Sequence, residues 1–513
     1  MTDGENGYIE LVSTSNFSFL RGGSHPEELA LASNGLGLGG FGLTDRNSFA
    51  GVVRAYVALR DVEPRPRPDF RYLVGTRLCF ADGTPDIVAY PTDRNAYGRL
   101  CKLLSIANLR KESDKGAPIL ELGDLAPALS ASRIVDLSAE DFTLGQLFIL
   151  MPDEDDWERT ETTLHALAAR APGRVWIGAA CRFGGDDRAR LNRIADLCRR
   201  RQVPMLATND VLYHEPGRRV LQDVVTCIRE HMTIDEAGRR LEANAERHVK
   251  TPEEMRRLFR EHPEAISETA HFARRIGFSL DQLKYNYPTE QIADETTQET
   301  LERLTWEGAE KRFGGNIPDE VKRTIWSELC LIAYKGYAPY FLTVHDIVMH
   351  ARYALKILCQ GRGSAANSVV CFCLEITEVN PTKVDLVFGR FLSTERDEPP
   401  DIDVDFEHER REEVMAYVYA KYGGNHTGLT ANVICYRSRG ALREVAKVFG
   451  LSDDMIGAIN QLHWGWGSTV SSDEMRGLGL DPAERTLGMV LECARELHGF
   501  PRHLSQHVGG FVI

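Results

Sequence analysis

The chain has 513 residues, of which 43% are hydrophobic and 27% charged, the profile of an ordinary globular protein with length for about three domains. No apolar run reaches the roughly 18 residues of a membrane span, and the opening Met1-Thr2-Asp3-Gly4-Glu5-Asn6-Gly7 is acidic and polar rather than a secretion signal. Eleven cysteines form no Cys-x-x-Cys pair, and their odd number argues against a disulfide framework, so a cytoplasmic location with reduced thiols is expected. The net charge of −14 does not by itself exclude a nucleic-acid partner, because the distribution of charge decides that question.

In chain order, the first 280 or so residues alternate apolar runs with helical stretches. Strands are predicted at Tyr8–Val12, Gly40–Thr44, Tyr72–Phe80, Asp86–Tyr90, Leu147–Met151, Val175–Ala180 and Met205–Ala207. Helices are predicted at Pro26–Ser33, Phe49–Leu59, Ala96–Leu109 and Asp186–Arg201. Repeated β-then-α units predict a barrel-like α/β layer, with chemistry at the carboxyl ends of strands, where Asp45 and Asp210 fall. Glu215–His271 reads as largely helical and charged, and Tyr285-Asn286-Tyr287-Pro288 as an extended hinge. A second unit follows, with helices at Thr296–Phe313, Pro318–Lys335 and Leu342–Tyr353. A third, mostly helical unit runs from about Leu429 to Leu497.

The densest chemistry is Pro399-Pro400-Asp401-Ile402-Asp403-Val404-Asp405-Phe406. The prolines disfavour a helix. On a strand the three acids share one face while Ile402, Val404 and Phe406 share the other and can anchor it. Adjacent carboxylates on a rigid strand suit a Mg²⁺ pair for phosphoryl or nucleotidyl transfer. Two alternatives stay open: an acidic surface strand, and a calcium loop with Asp401, Asp403, Asp405 and Glu412 at positions 1, 3, 5 and 12, although its sixth position would be Phe406 instead of glycine. Some 40 residues earlier, Gly361-Arg362-Gly363-Ser364-Ala365-Ala366-Asn367-Ser368 is a small-residue loop opening a helix, suited to an anion. Its lack of a Gly-Lys-Ser/Thr ending excludes a P-loop. Arg390 and Arg396 flank the acidic strand and suit phosphate oxygens. Farther on, Arg437 precedes Arg439, Arg443 and Lys447, which recur every four residues on one helix face and suit a nucleic-acid backbone; pairing with Glu444 is the plain alternative.

Together, Gly361-Arg362-Gly363-Ser364, the Phe388–Arg396 stretch, Pro400–Phe406 and His507-Val508-Gly509-Gly510 resemble the bacterial C-family DNA polymerases, the DNA polymerase III alpha-subunit-like enzymes. Cys359-Gln360, Ala365–Ser368 and Tyr436-Arg437-Ser438-Arg439 resemble their error-prone branch, which serves damage-induced mutagenesis and translesion synthesis. The resemblance implies an α/β fold: a PHP-type (polymerase-and-histidinol-phosphatase) barrel-like domain over 1–281, the first part of a nucleotidyltransferase-like palm over 282–428, a helical thumb over 429–506 and the start of a return to the palm over 507–513. It implies that Asp403 and Asp405 are the catalytic metal ligands and that Gly361, Arg362, Gly363 and Ser364, with Arg390 and Arg396, hold the nucleotide. Arg437, Arg439, Arg443 and Lys447 would meet DNA. The implied cofactor is a Mg²⁺ pair. The implied partners are primer–template DNA, deoxynucleoside triphosphates and, in a complete protein, the sliding clamp and mutagenesis accessory proteins, with no membrane.

The sequence departs from the family in two places. The histidine-rich metal cluster of some PHP domains is replaced: Glu10–Thr14 carries no histidine, Thr44-Asp45-Arg46 and Asp210-Val211-Leu212 keep only the aspartates, and Arg77 stands where a glutamate is expected. Arginine, valine and leucine are not metal ligands, which argues against a phosphoesterase and for a scaffold. The family's third palm aspartate would lie beyond Ile513, so an incomplete palm and a fragment with little or no polymerisation are expected. A non-catalytic DNA- or partner-binding module is the alternative function, and a PHP phosphoesterase a lesser one.

Overall fold

In the computed structural model the described residues are 7–110, 118–126, 140–288, 295–380, 383, 392, 400–462, 476–477, 481 and 484–513. They gather into two compact units. One combines Met1–Leu283 with Asn432–Ser505, and the other combines Lys284–Ala431 with Gln506–Ile513.

The first unit is built on a seven-stranded sheet of strands in sequence order: β1 (Ile9–Glu10), β2 (Gly40–Arg46), β3 (Arg71–Leu78), β4 (Ile87–Pro91), β5 (Gln146–Leu150), β6 (Val175–Ala179) and β7 (Met205–Ala207). All neighbours are parallel except β4, which runs against both β3 and β5. The sheet curls until its ends meet. Thr14 N–H donates to Val211 O and Val211 N–H to Val12 O, each at 2.8 Å, around a parallel bridge between Ser13 and Val211. β5, β6 and β7 are buried along their whole lengths, which is why they read as continuous apolar runs rather than alternating ones.

Tyr90 fills the middle of this sheet. Its ring packs edge-on to Phe272 with centroids 5.4 Å apart, and its hydroxyl donates to Leu11 O at 2.7 Å. Room for the ring comes from Gly42 on β2 and Gly75 on β3. A Cβ at Gly75 would lie 2.7 Å from the ring, and one at Gly42 would collide with the hydroxyl.

The same unit holds a second core. The Arg219–Glu230 helix buries Leu221, Val224 and Val225 against Leu442 and Val445 of the Ser438–Val448 helix and Val490 and Leu497 of the Arg485–Leu497 helix. Ahead of the Ser438–Val448 helix runs a strand, β10 (Gly428–Cys435). β10 pairs with the final strand β11 (Pro501–Val512).

In the second unit, helices Thr297–Phe313, Asp319–Lys335 and Ala338–Met349 enclose a core of Leu301, Ile325, Leu329, Phe341 and Val370. A two-stranded sheet of β8 (Cys359–Arg362) and β9 (Asp403–Phe406) packs beside them. Among the described residues no helix is long and apolar enough to cross a membrane, and all eleven cysteines are free thiols.

Gly42→Ala or Gly75→Ala is expected to overpack the sheet around Tyr90 and cost about 1–3 kcal/mol. Thermal unfolding reads this as a lower Tm, and an unchanged Tm would show that Tyr90 has room to move.

Candidate active site

β8 and β9 run antiparallel, with Arg362 opposite Asp403 and Gln360 opposite Asp405. Opposite residues of an antiparallel pair stand on one face, so Arg362 shares a face with both aspartates. Along 401–406 exposure alternates: the three aspartates are exposed and Ile402, Val404 and Phe406 partly buried. Ile402 and Val404 pack on the helical core, and Phe406 packs on Ala351, Ile357 and Val414. Apolar anchoring of this kind makes the strand rigid, and a strand at 403–406 removes the calcium-loop alternative.

The turn out of β8 needs its glycines. Gly361 N–H donates to Ile376 O at 2.6 Å, and a Cβ at 361 would lie 2.6 Å from that same oxygen. Gly363 has φ +64°, a left-handed conformation that favours glycine, and a Cβ there would sit 3.3 Å from Asp403 Oδ2. Ser364 Oγ donates to Asp401 O. The loop and the acidic strand are therefore tied at both the β8 and Ser364 ends.

Arg362 Nε donates to Asp405 Oδ1 at 2.9 Å, with both side chains about two-thirds exposed (61% and 65%). A pair so exposed is worth only about 0–1 kcal/mol, so little energy holds the guanidinium on Asp405. One expectation needs correction. The loop passes through a 3₁₀ turn at Gly363–Asn367 into a helix of only five residues, Val369–Cys373. That helix's first amides are already taken: Val369 and Val370 N–H donate to the Glu328 carboxylate at 3.0 Å each, and Cys371 N–H to Ser368 Oγ at 3.1 Å. An anion at that helix end would meet amides that already have partners. Arg390 and Arg396 lie outside the described residues.

A cleft of about 450 Å³ opens beside β9, lined among others by Tyr287, Tyr340, Arg362, Asp403, Asp405 and Arg411. Tyr340 Oη accepts from Ile402 N–H at 3.3 Å. Sequence reasoning missed Arg411, which is hidden in the charged run Glu407–Glu413, and Glu328, on a helix whose local pattern marks only amphipathicity. Among the described residues no three His, Cys, Asp or Glu side chains are grouped to hold a metal. The Asp403–Asp405 pair nevertheless offers the oxygen donors Mg²⁺ prefers, and Mg²⁺ is commonly held by one or two carboxylates with substrate phosphates completing its shell; the donor set fits.

In the first unit, Arg437, Arg439, Arg443 and Lys447 are all exposed, on the face of the Ser438–Val448 helix opposite buried Ala441, Leu442 and Val445. Arg439, Arg443 and Lys447 line a cleft of about 540 Å³ with Asn460 and Gln461 of the next helix, and Asp453 is its one acid.

The strand-end aspartates of the curled sheet are fully occupied. Asp45 accepts from Ser15 N–H, Ser15 Oγ and Ser18 Oγ at 2.7–2.9 Å, and burial still pushes its carboxyl up to about 6. Asp210 is bound by Arg77 at 2.9 Å and Arg247 at 2.5 Å, and Arg77 also reaches Asp86 at 3.1 Å. Burial pushes Asp210 up, but Arg247, Arg77 and Arg182 outweigh it and hold the carboxyl well below the usual range. A guanidinium thus occupies the carboxylate that a metal would need, and these residues do not fit a metal centre.

A model of the bacterial DNA polymerase III alpha NTPase domain matches residues 299–513. An error-prone DNA polymerase of Rhodopseudomonas palustris (strain BisB5) is 52% identical over 509 residues, 99% of this chain and 44% of that protein. One from Brucella abortus biovar 1 is also 52% identical over 509 residues, 99% of this chain and 46% of that protein. The chain spans about half the length of the curated relatives it matches. Among solved structures, an amidohydrolase from Chromobacterium violaceum aligns with TM-score 0.27 and 16% identity over 40% of this chain and 87% of that one, a likeness too slight to carry an argument.

Arg77→Ala leaves Asp210 and Asp86 short of a buried counter-charge and is expected to destabilise the protein by about 3–5 kcal/mol at neutral pH, measured by urea unfolding. Because the folded Asp210 carboxyl is depressed, its contribution is present above the unfolded value of about 4 and lost as pH falls below it. The gap between wild type and variant is therefore expected to narrow below about pH 4.

Proposed function

We propose that this chain, similar to bacterial DNA polymerase III alpha and to error-prone DNA polymerases, is the catalytic and DNA-gripping portion of an error-prone DNA-directed DNA polymerase of the bacterial C family, acting in damage-induced mutagenesis and translesion synthesis. The reaction is attack of a primer 3′-OH on the α-phosphate of a deoxynucleoside triphosphate. The observation that carries this reading is the exposed pair Asp403 and Asp405 on a rigid strand, facing Arg362 across an antiparallel register.

In this reading Asp403 and Asp405 hold Mg²⁺. When bound, the metal supplies a polarised primer hydroxyl and charge neutralisation at the leaving pyrophosphate. Arg362 releases Asp405 to pair with a phosphate oxygen, to which its planar fork is well matched. The Gly361–Ser364 turn lets backbone come close to the triphosphate, and Arg411, which lines the same cleft, adds a second cation. Arg437, Arg439, Arg443 and Lys447 meet the backbone of primer–template DNA. We assign residues 1–281 to a PHP-type domain serving as scaffold, 282–428 and 507–513 to the palm and 429–506 to the thumb. The sliding clamp and mutagenesis accessory proteins are its further partners, in the cytoplasm.

Asp403→Asn or Asp405→Asn, made in the polymerase carrying this sequence, is expected to lower Mg²⁺-dependent primer extension by more than about a hundredfold. Unchanged extension by either variant would remove the assignment. Arg443→Glu with Lys447→Glu is expected to weaken primer–template binding and to lower the slope of log K against log salt by about 2. A DNA-binding module without catalysis would show the second effect and not the first.

A further inference from the structure

Among the described residues of the second unit, Glu328 is the one charged side chain that is buried. It sits on the Asp319–Lys335 helix, remote in sequence from the loop, and its carboxylate accepts three hydrogen bonds from the loop's far end. Ser368 Oγ donates to Oε2 at 2.8 Å, Val369 N–H to Oε1 at 3.0 Å and Val370 N–H to Oε2 at 3.0 Å. Ser368 Oγ in turn accepts from Cys371 N–H. The other end of the loop is fixed by Gly361 and by β8 pairing with β9. Gly361–Ser368 is thus a span held at both ends, with the Glu328 carboxylate as its second post.

We propose that Glu328 is a positioning residue for the nucleotide: its ionised carboxylate pins Ser368, Val369 and Val370 and so fixes where the Gly361–Ser364 turn meets the triphosphate. This rests on the polymerase reading above. Burying a carboxylate is costly unless hydrogen bonds compensate, and the three donors compensate only partly: burial pushes Glu328 up to about 7 against the pull of Val370, Val369 and Ser368. The shift of Glu328 comes from burial and from these three donors alone; burial, together with the charge of Glu328, pushes the neighbouring thiols of Cys371 and Cys373 up, so that they stay neutral. The fully accepting form of Glu328 is therefore populated as pH rises through about 7 and is lost below it. Protonation removes the negative charge that strengthens these three bonds and adds a proton that itself needs an acceptor, so in this proposal the loop loosens.

Glu328→Gln imitates the protonated form in shape and charge. Two readouts separate this inference from the reading it rests on. The first needs no nucleotide: amide hydrogen exchange at Val369 and Val370 is expected to be at least tenfold faster in Glu328→Gln at pH 8, with the Asp319–Lys335 helix still protected. The second is binding of a fluorescent deoxynucleoside triphosphate with Mg²⁺. Wild-type affinity is expected to fall, relative to Glu328→Gln, as pH drops from 8 to 6, so that the two proteins converge at low pH. Ser368→Ala keeps the carboxylate and removes one donor, so it is expected to weaken binding while keeping the pH dependence. It also serves as the test protein if Glu328→Gln does not fold. Unchanged exchange at Val369 and Val370, or the same pH profile in wild type and Glu328→Gln, overturns the inference. Nucleotide binding absent from wild type overturns the polymerase reading instead, and the exchange result alone then decides whether Glu328 pins the loop.

Discussion

The antiparallel pairing of β8 with β9 is the constraint on which the candidate site depends. Four residues on each strand set Arg362 against Asp403 and place both aspartates, the guanidinium and the start of the Gly361–Ser364 turn on one face. A slip of one residue would turn all the carboxylates into the core. Two features oppose that slip. Ile402, Val404 and Phe406 bury the opposite face, and Gly361 lets β8 lie against Ile376, where any side chain would collide with the carbonyl.

Asp210 in the first unit and Glu328 in the second treat buried charge in contrasting ways. In the first, Asp210 sits among Arg77, Arg247 and Arg182 and stays ionised. Ion pairs stripped of water repay their desolvation only when geometry and additional bonds are good, and here Arg247 Nε also donates to Asp210 O. In the second, Glu328 has neutral donors alone, so its charge is only partly supported. The first arrangement makes a fixed framework and the second a group poised near neutrality.

Much of this was legible in the sequence because the signals are local. The runs Leu147–Met151 and Val175–Ala180 mark buried strands. Thr296, ahead of Glu299, marks a helix start that the structure realises as a reciprocal cap. The Asp–apolar alternation marks β9 and its exposed face. What was hidden depends on partners distant in the chain. Ser13 meeting Val211 closes the curl, and nothing near either residue announces it. The apolar face of Ser438–Val448 shows that the helix is buried, but not that it packs on Arg219–Glu230. The sequence shows ligand types lost around Asp45 and Asp210, whereas only the fold shows Arg77 turning inward to take up the vacated charge. Glu328 resembles any other acid on an amphipathic helix until the amides 41 and 42 residues away are seen to point at it.

The Arg77 arrangement has a consequence for how such a chain changes over generations. A guanidinium shared by Asp86 and Asp210 cannot be exchanged piecemeal. An acid at position 77 would set like charges together beside buried Asp210. Each single reversal passes through a protein that folds less well, so the replacement works as a ratchet. Once the arginine is seated, later substitutions can vary the rest of the sheet far more easily than position 77 itself.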